Sequence, residues 1–124
     1  MKHDMLADVF SILKNMEGIG RSEARVPSST LAKSVLAILQ ERQYIGSVSS
    51  EGQLLKVQLT GRINDCNVIR PRFSVRKDEY IKWEKRFLPA NGLGMLLLTT
   101  PRGVLPHDQA KEQGVGGQLL GYVY

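Results

Sequence analysis

Apolar residues recur near the start of the chain at the spacing of a helix. Met5, Val9, Ile12, Leu13 and Met16 fall on one side of a 3.6-residue repeat, with Asp8, Ser11, Lys14 and Asn15 between them. The pattern predicts an amphipathic helix over 4–17, with Asp4 placed to cap its first turn. "EGIGRSEARVP" interrupts the repeat with two glycines and a proline, and reads as a break. A second helix is predicted after Pro27, capped by Ser28 or Ser29 and ending near Arg42. Its buried stripe is Leu31, Val35, Ile38 and Leu39.

The period then drops to two. "YIGSVS" reads as a strand and "SSEG" as a turn, and Leu55, Val57 and Leu59 alternate with Lys56, Gln58 and Thr60. The first half is therefore two helices followed by an antiparallel hairpin or three-stranded sheet. Residues 62–75 are polar and basic and contain Pro71, which suits a loop or short strands and a boundary between halves. A short charged helix is predicted over 77–87, then a loop at "LPANGLG" and a strand over 94–99. After the turn "TPRG" comes a helix from about Pro106 to Gln113, with Pro106 in its first turn and Gly114 as its stop. "GVGG" leads into a last strand over 118–124.

Composition narrows the class. A chain of 124 residues is one domain or two small halves, and 42% hydrophobic with 23% charged residues is a globular balance. No 18-residue apolar span is present, so no membrane crossing is expected. The opening "MKHDMLADVF" lacks a signal peptide's apolar middle and cleavage site. Cys66 is the only cysteine, which excludes an internal disulfide and suits a reducing, cytoplasmic setting.

Charge changes the picture more. Seventeen basic against twelve acidic residues leave a net +5. Between Lys56 and Arg86 lie nine basic and four acidic residues, so the whole excess sits in this window. Such clustering fits a polyanionic partner, though a solvated charged face would look the same. Arg70, Arg72, Arg76 and Lys77 have no apolar rationale and are candidates for phosphate contact. Aromatics interleave with the cations (Phe73, Tyr80, Trp83, Phe87, Tyr122 and Tyr124), as base stacking would need. Trp83 and Phe87, four apart, fit a helix face turned into the core.

Catalytic and metal chemistry find little support. His3, Cys66 and His107 are far apart and form no ligand motif, so no metal site is expected. "GVGG" lacks the following Lys-Ser or Lys-Thr of a phosphate loop, and no nucleophile motif accompanies His107-Asp108. The chain is read as non-enzymatic, without cofactor or small-molecule substrate. "LTTPRG" stays open between two readings. Thr, Pro and Gly are ordinary turn residues, but two hydroxyls, a cation and a glycine also suit contact with RNA.

Taken in order, these segments resemble the small-subunit ribosomal protein eight family in its archaeal and eukaryotic form. The likeness covers essentially the whole chain: "LADVFSILKNME", "VPSSTLAKSVLAILQERQYIG", the centre with "GRINDC" and "KWEKRFLP", and "TTPRGVLPHDQAKEQGVGGQLLGYVY". It implies an α+β fold of two small halves, assigned to 1–68 and 69–124. N-terminal helices would pack on a short antiparallel sheet, and the C-terminal half would combine an antiparallel sheet with a short helix. It implies binding to a helix in the central domain of small-subunit rRNA, nucleating assembly beside ribosomal proteins five and seventeen, with no obligate homo-oligomer.

The family's contact turn maps onto Thr99, Thr100, Pro101, Arg102 and Gly103, and its Gly-Gly region onto Gly116, Gly117 and Gln118. Lys33 and Arg76 are the closest matches to basic contacts attributed to the first half. Pro101 departs from the usual serine, Pro106 from a threonine cap, Gln118 from a glutamate and Thr30 from a lysine. A basic protein–protein adaptor without specific RNA recognition is the alternative.

Overall fold

The computed structural model describes residues 5–70, 72–90 and 93–124. Asp4 as a cap, His3, Pro71, Asn91 and Gly92 lie outside the described residues, as does the side chain of Met5. Helix α1 spans Met5–Gly18 and buries Leu6, Val9, Phe10 and Leu13, an i, i+3, i+4, i+7 stripe. Ile12 and Met16, expected on that stripe, are only half-buried. Helix α2, Thr30–Glu41, starts at Ser29, whose Oγ accepts the Ala32 amide at 3.0 Å. It buries Ala32, Val35, Leu36 and Leu39; Leu31 and Ile38 flank this stripe rather than define it.

Between the helices lies a strand that the pattern did not predict, β1 (Glu23–Pro27). It pairs antiparallel with β3 (Leu54–Leu59), which also pairs with β2 (Ile45–Glu51), giving the order β1-β3-β2. Five residues ending in a proline show too little alternation to be recognised alone. An edge strand tolerates that proline because only one side must hydrogen-bond. Ala24 and Val26 face the core opposite Val57 and Leu55, and α1 and α2 pack on the sheet.

The chain divides into two units, one ending at Asn67 and one running from Val68 to Tyr124. The division falls within β4 (Cys66–Val68). In the second unit the sheet order is β4-β8-β6-β7, with β5 (Ser74–Val75) also paired to β8 (Gly117–Val123). Strand β6 (Met95–Thr100) is buried from Met95 to Leu98. It turns directly into β7 (Gly103–Pro106), where the sequence pattern predicts passage straight to a helix. Val104 and Leu105 are too short a run to announce a strand; pairing with β6 makes it one.

Helix α3 covers Tyr80–Phe87, starting later than predicted because Lys77–Glu79 form a turn closed by the Glu79 amide on the Arg76 carbonyl, 3.0 Å. Helix α4 is His107–Gln113. Pro106 is its extended N-cap rather than part of its first turn and supplies no side-chain cap. Gly114 ends it in the left-handed region, φ 68°, where a Cβ would be strained. Tyr80, Trp83, Leu96, Leu98, Ala110 and Leu119 form the unit's core, so the expected inward face of α3 is real.

Candidate nucleic-acid interface

The turn "TTPRG" is a two-residue hairpin corner. Thr99 pairs with Val104 and Thr100 with Gly103, leaving Pro101 and Arg102 at the tip. Proline's fixed φ suits the first corner position, and Gly103 completes the turn at φ 106°. The Thr100 hydroxyl locks it, donating to the Gly103 carbonyl at 2.7 Å and accepting the Arg102 amide at 3.1 Å. Thr100 therefore shapes the turn, while Arg102 stands exposed at its apex. Pro101 lacks the usual hydroxyl but rigidifies the corner that carries the arginine.

The two glycines explain how the turn is seated. A Cβ on Gly117 would fall on the Thr99 carbonyl oxygen and stand 3.1 Å from Thr100 Cγ2. One on Gly116 would fall on the Val75 carbonyl oxygen and stand 3.2 Å from Arg76 Cα. Only glycine lets the start of β8 pass this close to the ends of β6 and β5. Immediately before them, the Tyr80 hydroxyl donates to the Val115 carbonyl at 2.7 Å, and burial pushes the Tyr80 pKa up, preserving the donor.

Register then assembles a polar row. Gln118 pairs with Thr99 on one side and with Ser74 on the other. Directly paired residues project to the same face, so Ser74, Gln118 and Thr99 line up across β5, β8 and β6. Ser74 and Gln118 are exposed. Sequence reasoning missed Ser74, because a two-residue strand carries no periodicity.

The predicted cations are placed differently. Arg76, 85% exposed, follows β5 beside Gly116 and pairs with Glu79 at 3.4 Å. Arg70, Arg72 and Lys77 are exposed on the segments flanking β5. Lys33 is exposed on α2, in the other unit from the turn. No group of three or more metal-ligating side chains occurs among the described residues. Cys66 is buried, its Sγ donating to the Phe10 carbonyl at 3.5 Å, and burial pushes the thiol up to about 12, which makes it an inert core residue. His107 is also structural: Nδ1 accepts the Leu96 amide at 3.0 Å and Nε2 reaches Glu84 at 3.1 Å.

Comparison with known proteins agrees along the whole length. The family described as ribosomal protein S8 matches residues 4–124. The small ribosomal subunit protein uS8 of Methanococcoides burtonii is 45% identical over 126 positions, covering 98% of this chain and 97% of the relative. That of Methanosphaerula palustris is 45% identical, covering 99% and 98%, and that of Methanoregula boonei 46%, covering 96% and 95%.

Proposed function

The chain belongs to the ribosomal protein S8 family, and from that premise we propose that its β6–β7 turn and neighbouring polar row bind rRNA. It is a structural, non-enzymatic protein of the small ribosomal subunit and acts in the cytoplasm on the ribosome. Its target is an irregular helix in the central domain of the small-subunit rRNA, whose fold it stabilises early in assembly beside proteins five and seventeen. An adaptor role for the basic surface is not favoured by that membership.

One observation carries the reading of the turn. Ser74, Gln118 and Thr99 present hydroxyl and amide groups in register beside two cations, Arg76 and Arg102, on backbone seated through Gly116 and Gly117. Rigid hydroxyls and amides read RNA through 2′-hydroxyls, base edges and phosphates. Arg70, Arg72, Lys77 and Lys33 add salt-dependent attraction. The test is a gel shift with a central-domain rRNA fragment against an unrelated duplex at two salt concentrations. Preference for the fragment that persists at the higher salt is expected; equal affinity for both RNAs reduces the protein to a general polycation. Thr100→Val, which unlocks the turn, should weaken fragment binding by about 1–3 kcal/mol.

A further inference from the structure

Outside the turn, the second unit carries a continuous stack of rings. Phe73 and Trp83 lie 4.9 Å apart between centroids, Trp83 and Phe87 6.2 Å, Phe87 and Tyr122 5.9 Å, and Tyr122 and Tyr124 5.9 Å. These are the separations of offset-stacked or tilted aromatic pairs. Over this ladder lies the Arg86 guanidinium, 4.9 Å from the Phe73 ring, 5.4 Å from Trp83 and 5.2 Å from Phe87. Lys82 Nζ caps Trp83 at 4.9 Å.

Core packing accounts for Trp83, which is 5% exposed, but not for what covers it. Arg86, Lys82 and Lys85 are exposed and make no ion pair among the described residues. The acid nearest in sequence, Glu84, is turned away: its Oε1 is held by His107 Nε2 at 3.1 Å and Lys111 Nζ at 3.0 Å. The outer face of α3 thus has three cations, no neutralising carboxylate, and an exposed Ile81 at its edge.

The ladder lies on the core side of the sheet, with Leu96, Leu98 and Leu119, opposite the polar row. Its first ring, Phe73, precedes Ser74 of the polar row, and the Phe73 carbonyl accepts the Leu119 amide at 2.9 Å. Tyr122 pairs with the buried Leu96 of β6 and packs on the core with Phe73 and Phe87.

We propose that α3 and the aromatic ladder form a second RNA contact, in which an unpaired base stacks on the outer face of the Arg86 guanidinium while Lys82 and Lys85 hold flanking phosphates. A guanidinium lying over rings still offers a planar group and several N–H donors to a ligand, which lysine lacks. Unneutralised cations beside that plane complement a backbone of phosphates carrying planar bases. The inference rests on the rRNA reading above and adds to it a separate contact on the outer face of α3.

Trp83 is the only tryptophan, so its emission reports on this face alone. Titration with the central-domain rRNA fragment should quench Trp83 fluorescence, and Arg86→Ala should weaken binding about tenfold, the scale of losing one stacked base. Arg86→Lys should not restore the lost affinity. Lys82→Ala combined with Lys85→Ala, which leave the ladder intact, should lower the slope of log affinity against log salt by about two. Arg102→Ala, in the turn, should weaken binding yet leave the quench at saturation. Normal gel-shift binding with unchanged Trp83 emission, or wild-type affinity and salt slope in these α3 variants, overturns the second contact and leaves the turn intact. Failure of the wild-type protein to bind the fragment at all overturns both.

Discussion

The two units carry almost the same number of cations and dispose of them differently. Through Asn67 there are eight basic and seven acidic residues, a net +1; from Val68 there are nine and five, a net +4. On the outward face of the first sheet the charges neutralise one another. Arg25 reaches Glu51 at 3.3 Å and Glu23 at 3.7 Å, and Lys56 reaches Glu23 at 3.2 Å. In the second unit Glu84 is drawn into the fold by His107 and Lys111, while Arg72, Lys77, Lys82, Lys85 and Arg102 make no ion pair among the described residues. Exposed pairs contribute about 0–1 kcal/mol each, so the contrast concerns which face attracts a polyanion more than it concerns stability.

The sharpest way to break this contrast is to unseat the turn. Gly117→Ala drives a Cβ into the Thr99 carbonyl and should destabilise the second unit by about 3 kcal/mol, abolishing RNA binding. Chemical denaturation followed by Trp83 emission measures it; wild-type stability would mean the glycine pair is not the seat of the turn. Next comes a paired test of the charges. Arg102→Ala should lose about 1–3 kcal/mol of affinity for the rRNA fragment, whereas Arg25→Ala, on the neutralised face, should change it by under about 0.5 kcal/mol. Equal losses would erase the distinction between the units.

The first unit should also respond to alkali. The Cys66 thiol is held near 12 against an ordinary value of 9.0, so the native state keeps a proton that the unfolded chain releases. Its contribution is complete below pH 9 and declines as pH rises toward 12, by about 1.4 kcal/mol per pH unit. The stability difference between wild type and Cys66→Ala, measured by denaturation in reducing buffer, should shrink over that range and stay flat below it. The smallest effect is at Gln43, the only described non-glycine at positive φ, 67°. Gln43→Gly should stabilise the protein to thermal unfolding by about 0.5–1 kcal/mol, with RNA affinity unchanged.

What could be read from the chain, and what could not, follows the same physics. Helices α1 and α2 and strand β3 were legible because each repeats its apolar period several times, and the inward side of α3 through the single pair Trp83 and Phe87. Strands β1 and β7 were not, since "EARVP" alternates over only two inward residues, Ala24 and Val26, "GVLP" does not alternate, and both are strands through pairing with β3 and β6. The turn residues were visible as a motif, but Thr100's role as the lock of the hairpin and Ser74's place beside Gln118 arise only from the folded pairing of β5, β6, β7 and β8. The Gly116-Gly117 pair was visible in the chain, but that it permits close backbone approach is decided by the neighbours its missing Cβ atoms would meet.

By itself the sequence determined the periodic elements, the apolar stripe of β6, the clustering of positive charge and the family. Those properties are local or additive along the chain, so no distant partner is needed to express them. Only the tertiary structure decided which cations remain unpaired, which hydroxyls face outward in register, and that Arg86 lies on a ladder of rings drawn from residues 73 to 124. Those depend on pairings between segments tens of residues apart, where a shift of one position would turn every side chain to the opposite face.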